Sequence, residues 1–191
     1  MGPLRGRLLV ATPELADPNF ARTVVLVLDH GQDGAFGIIL NRPTDRVVAD
    51  AIAPWADVAS APAVVFVGGP VGVDQVMGIG LGVDQPATRG WAPLFDDPGD
   101  EPGHAGLASV DLQAGPGATS LQHVRVFVGC AGWGADQLEG EIEEGSWFVV
   151  AADVPGDVFG SCPDRLWSDV LRRQPGRTAW FANCPEDRST N

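Results

Sequence analysis

The chain has 191 residues, a net charge of −13 and 45% apolar content, which suits one globular domain able to fold without disulfide or metal staples. All twelve basic residues are arginine, scattered from Arg5 to Arg188 with only Arg172 and Arg173 adjacent. The acidity argues against direct nucleic-acid binding, which depends on neutralising phosphates, and disfavours an anionic membrane surface for the same reason.

The opening MGPLRGRLLVATPEL holds an apolar run of four residues, too short for a signal-peptide core. No segment approaches the roughly 20 apolar residues of a membrane span, so the expectation is a cytoplasmic protein. Residues 1–5 and 185–191 read as flexible tails of a single domain over 1–191. Residues 8–11 are short and apolar, TVVLVLDH is a strong strand, and AFGIIL resumes the pattern after HGQDG. Asp33-Gly34 between two apolar runs signals a hairpin, and Pro43 is expected to end its ladder for want of an amide donor. In DRVVADAIAPWAD (45–57), Val47, Val48, Ala51 and Ile52 have helical spacing, with Thr44 as N-cap and Pro54 as terminator.

AVVFVGGPV reads as a buried strand and VMGIGL as a second one. Residues 93–106, PLFDDPGDEPGHAG, combine acids and prolines without arginine and read as an acidic surface loop. GLASVDL and HVRVFVG follow as strands. A Gly-rich turn then leads into a helix over 135–144, and SWFVVAAD is a further strand. In PDRLWSDVLRRQ, Leu166, Trp167, Val170 and Leu171 share one helical face behind Pro163, with Ser161 or Cys162 as cap. The order, about seven strands and three helices, predicts an α/β or α+β domain with several antiparallel pairs.

The stretch VGCAGWGADQLEGEIEEGSW, from Val128 to Trp147, carries the most pointed chemistry. Asp136 and Glu139 occupy the first turn of its helix, where they fit a capping-box-like pair and repel a phosphate. Cys130 needs a nearby base and a depressed pKa to act as a nucleophile. Its GCAG flanks match no hydrolase signature, and buried cysteines are common. Trp133, between two glycines, is either packed against a neighbouring strand or presented as an anchor. The three cysteines form no CxxC pair. HExxH, GxSxG and a P-loop are absent as well, so no cofactor is expected.

Together, GRLLVATPELADPNFARTVVLVLDH, GAFGIILNRPT, VFVGGPV and VFVGCAGWGADQLEGEIEEGSW resemble the YqgE/AlgH family, in order, from about Gly6 to Arg173. The resemblance implies a compact domain of mixed, bent β-sheets with a barrel-like core flanked by helices. It also implies a bacterial protein that carries a transcriptional-regulator label without an established activity. Members often have tyrosine where Cys130 stands, which weakens the nucleophile reading. The leading expectation is a non-catalytic regulatory or binding module acting through a protein or small-molecule partner. Its candidate recognition surface is Asn41, Arg42, Trp133, His30 and Gln137. A hydrolase-like enzyme using His30 and Asn41 is the alternative, and direct DNA binding the third reading.

Overall fold

The computed structural model describes residues 4–82, 90–95, 104–116 and 121–185. Ten strands form one mixed sheet that curls into a half-barrel, so the α+β expectation holds. Helices of seven or more residues are three among the described residues: α2 (Gln137–Glu143), α4 (Leu166–Arg172) and a 3-10 helix over Gly176–Asn183. Shorter helical turns, α1 (Val48–Ala51) and α3 (Gly156–Phe159), sit between strands.

The apolar runs in the first forty residues become an antiparallel meander. β1 (Arg7–Ala11) pairs with β2 (Val24–Gly31), and β2 with β3 (Gly34–Ile39). The predicted hairpin is present, with Gly31 opposite Gly34, so Gln32 and Asp33 form the turn. Both faces of the meander are covered. Leu8, Val10, Leu26 and Ile38 join one core, which Trp167 and Val170 of α4 close. Leu9, Val25, Val27 and Ile39 join another, under Leu138 of α2. Burial on both faces explains why these strands are continuously apolar instead of alternating.

Three expectations yield to long-range pairing. Residues 43–47 are strand β4 (Pro43–Val47), and Thr44 Oγ1 donates to the Val65 carbonyl at 2.7 Å instead of capping a helix. Pro43 opens this strand opposite Phe66 of β5 (Val64–Val67) instead of ending a ladder, and the predicted helix is shortened to the turn α1, which ends at Ala51 before Pro54 enters a 3-10 turn over Ala53–Val58. Pairing with β5 takes the first residues of the predicted helix into the sheet, and the helical turn begins only at Val48. The short strands β4 and β7 (Trp91–Pro93) account for much of the undercount.

The Gly-rich segment after Val128 is also a strand. β9 (Leu121–Gly134) runs through all three of its glycines and stops two residues short of α2. Its first half lies between β5, parallel, and β6 (Val71–Gly82), antiparallel. Its last four residues, Ala131 to Gly134, pair instead with Gly37 to Gly34 of β3. The switch occurs at Gly129, whose φ is +68° and where a Cβ would stand 2.5 Å from the Gly69 carbonyl oxygen. Only glycine permits that bend and that approach. β6 continues through β8 (Leu107–Val110) to β7, and β10 (Trp147–Ala151) closes the other side on β1.

The ends of the predicted loop and tail are anchored. Pro93 pairs with Ala108, and Phe95 and His104 are buried, while residues 96–103 lie outside the described residues. Leu4 is buried and its amide donates to His30 Nδ1, while residues 1–3 lie outside the described residues. Residues 186–191 lie outside the described residues.

Candidate functional site

The five sequence-derived candidates separate into two groups at opposite ends of β2 and β3. His30, Trp133 and Gln137 gather at the hairpin end, around α2. Asn41 and Arg42 follow β3 at the other end.

In the first group Trp133 is packed, not presented, with 6% of its surface exposed. Its ring stacks on Phe20 at 6.0 Å and meets Trp147 edge-on at 6.1 Å. Glu141 of α2 ties the cluster together. Its Oε2 accepts from Trp133 Nε1 at 2.9 Å and Trp147 Nε1 at 2.8 Å, and its Oε1 from Gln137 Nε2 at 3.0 Å. The capping box expected at the helix start is replaced by another device. Asp136 adopts a left-handed φ of +60° and makes no side-chain cap bond; Gln137 Oε1 instead accepts the Gly134 amide at 3.0 Å.

Glu139, in the first turn of α2, meets His30 Nε2 at 2.7 Å. Its own backbone amide, and then His30, hold the carboxylate pKa below its ordinary value. A depressed folded-state pKa stabilises the fold above the unfolded pKa, and that contribution is lost as pH falls through the folded value. Stability should therefore decline in acid more steeply for the wild type than for Glu139→Gln. Urea midpoints measured down a pH series to about 3, below the ordinary Glu value of ~4.3, would show parallel curves if the pair contributes nothing.

The second group builds a cleft. Asn41 is buried; its Oδ1 accepts the Val24 amide at 2.9 Å and its Nδ2 donates to the Arg22 carbonyl at 2.9 Å. Arg42 Nη2 donates to the Ala21 carbonyl at 2.5 Å. The two side chains thus clamp the turn at Ala21-Arg22, where Arg22 holds a left-handed φ of +57°, uncommon outside glycine. The turn aims the Arg22 guanidinium over Trp167 of α4 at 3.9 Å, while Arg22 Nη1 donates to the Cys184 carbonyl at 2.9 Å. Arg22 and Arg42 line one cleft of about 400 Å³ with Asp164, Trp167 and Ser168. Arg42 also borders an apolar groove of about 290 Å³ with Ile39, Val67, Pro70 and Val73.

Asn41 bonds the first residue of β2, and His30 lies six residues further along that strand. At about 3.3 Å per residue they stand roughly 20 Å apart, too far for one catalytic pocket. Cys130 is half-buried, and burial pushes its thiol pKa up, the opposite of what a nucleophile needs. His123 Nδ1 meets Ser60 Oγ at 3.2 Å. Among the described residues no group of three metal-ligating side chains converges, and no helix is long and apolar enough to cross a membrane.

Sequence reasoning passed over two arginines. Arg22 left no local signal, since its position depends on the Asn41 clamp. Arg125 left a clear one, a charge set within the apolar strand HVRVFVG.

The half-barrel sheet places the chain among mixed α+β domains of known structure. A crystal structure of a Corynebacterium diphtheriae protein superposes with a TM-score of 0.82 at 32% identity, covering 96% of this chain and 94% of that one. The solution structure of the AlgH protein from Pseudomonas aeruginosa gives 0.67 at 26% identity, covering 97% and 96%. The chain belongs to the AlgH-like family (DUF179), whose model matches residues 8–179. Relatives include UPF0301 proteins of Streptomyces avermitilis, 49% identical over 195 residues, and Streptomyces coelicolor, 50% identical over 190, each match covering 98% of this chain and 95% of the relative.

Proposed function

We propose that the protein is a cytoplasmic, non-catalytic binding module that regulates transcription through a protein or small-molecule partner and does not touch DNA itself. The observation that carries this reading is the Arg22–Arg42 cleft. In a chain of net charge −13, two arginines share one concave site with a single lining carboxylate, Asp164, among the described residues. Such a cleft suits a carboxylate or phosphate presented by the partner. The apolar groove on the other side of Arg42 offers contact area beside the charge.

Arg42→Glu tests it, because the change reverses the charge without removing a buried side chain. The variant forfeits the bond to Ala21, itself worth about 1 kcal/mol, and its thermal midpoint is measured before capture. Affinity capture from native lysate should recover a partner with wild type and lose it with Arg42→Glu. Equal recovery from both would remove the cleft from consideration. Trp133→Ala is unsuitable for this purpose, since emptying a packed tryptophan site costs about 3–5 kcal/mol by itself.

A further inference from the structure

Arg125 occupies the middle of β9 with 2% of its surface exposed, a rare position for a side chain that stays charged at physiological pH. Its guanidinium lies 4.4 Å over the Phe66 ring. Nη2 donates to the carbonyls of Ala61 at 2.8 Å and Gly160 at 3.1 Å, and Nε is buried with no acceptor. Burial lowers its pKa only to about 10, so it remains a cation at neutral pH.

No carboxylate among the described residues neutralises it. Buried Asp157 is already engaged by Arg173, at 2.6 and 2.5 Å, and by the Asp153 amide at 2.7 Å. Asp169 is taken by Arg172 at 2.7 Å. A buried charge without a counter-charge is costly, and a ligand that supplies one recovers part of that cost. Beside Arg125 a cleft of about 280 Å³ opens between α3 and α4, lined also by Asp153, Asp157, Cys162, Asp169 and Arg173; Asp153 acts electrostatically on Arg173, not on Arg125.

We propose that this cleft binds a small monocarboxylate, whose carboxylate supplies the negative charge that Arg125 lacks. One uncompensated guanidinium matches one negative charge. A dianion such as phosphate would bring surplus charge against the carboxylates of Asp153, Asp157 and Asp169 on the same wall. The volume sits at the lower end of the ~300–1,000 Å³ of small-molecule sites, which limits the ligand to a few heavy atoms beyond the carboxylate. The site is distinct from the Arg22–Arg42 cleft, which lies along other residues of α4.

Exposed Cys162 lines the cleft and can report occupancy. Full-length protein would be labelled with a maleimide in the presence of acetate, lactate, glycine or inorganic phosphate, and each cysteine peptide quantified by mass spectrometry. At a ligand concentration about ten times Kd, labelling of Cys162 should slow roughly tenfold, because only the free fraction reacts. Cys130 and Cys184 should label at unchanged rates, and the thermal midpoint should rise. Arg125→Met should abolish both effects. Should that variant fail to fold, Ser161→Trp, a change at an exposed position on the cleft wall, should abolish the ligand-dependent midpoint shift in a folded protein. The proposal is overturned if none of the three carboxylates protects Cys162 at about 10 mM, a generous excess for a metabolite site. Equal protection by phosphate, or a midpoint shift that survives a folded variant, would overturn it too.

Discussion

Gly69→Ala should be among the most damaging single-methyl changes available to this protein, with a loss of roughly 3–6 kcal/mol from combined overpacking and backbone strain. A Cβ at Gly69 would stand 2.2 Å from both the carbonyl carbon and the carbonyl oxygen of Cys130, and 2.4 Å from the Ala131 nitrogen. Those are backbone atoms of β9, so no side-chain rotamer can relieve the clash. The backbone there has φ +153°, which adds to the strain. Against a typical total stability of about 5–15 kcal/mol, such a loss removes a large fraction of the stability itself. Gly132→Ala supplies the contrast, since nothing lies within 4 Å of its Cβ position although it belongs to the same strand. Urea midpoints should fall steeply for the first variant and move little for the second. Equal midpoints would mean that the crossing of β9 over Gly69 is looser than its geometry states.

The second large effect is expected at Glu141. Glu141→Leu removes the acceptor shared by two buried indoles, Trp133 and Trp147. Each orphaned donor costs about 1–3 kcal/mol, so the pair should lose about 2–6 kcal/mol. Glu141→Gln keeps an acceptor oxygen and should recover much of that loss. Thermal denaturation followed by tryptophan fluorescence measures both. A leucine variant as stable as wild type would show that the indoles find other acceptors. The result bears on recognition too, because it separates the residues that hold α2 in place from those that face a partner.

These sites also show what local sequence reveals. Continuously apolar strands such as β1 and β2 are legible because burial on both faces leaves no alternation to disguise them. The Leu166–Leu171 face of α4 is legible because its spacing and its burial agree. Around Gly129, Gly132 and Gly134 local and global signals conflict. Glycine clusters mark turns in isolation, yet here they permit close backbone approach along a strand whose partners lie about 40 to 100 residues upstream. Trp133 could be placed only once Phe20, Glu141 and Trp147 surrounded it. Asn41 and Arg42 are legible only as candidates for a recognition surface; their work in fixing Arg22 over Trp167 depends on a residue 19 positions earlier and a helix far downstream. A cleft assembled from several elements leaves no motif in any one of them.

The position of β9 has a consequence for how the molecule is made. Until residues 121–134 leave the ribosome, the growing chain can form three separate pieces: the β1–β2–β3 meander, the β4–β5 pair, and the β6–β8–β7 ribbon. β9 borders one strand of each, β3, β5 and β6, and joins them in one event. Two-thirds of the polypeptide must therefore wait for a single late segment, with the edges of all three pieces open meanwhile to other strands. Only afterwards can β10 arrive and seal the first strand made with the last.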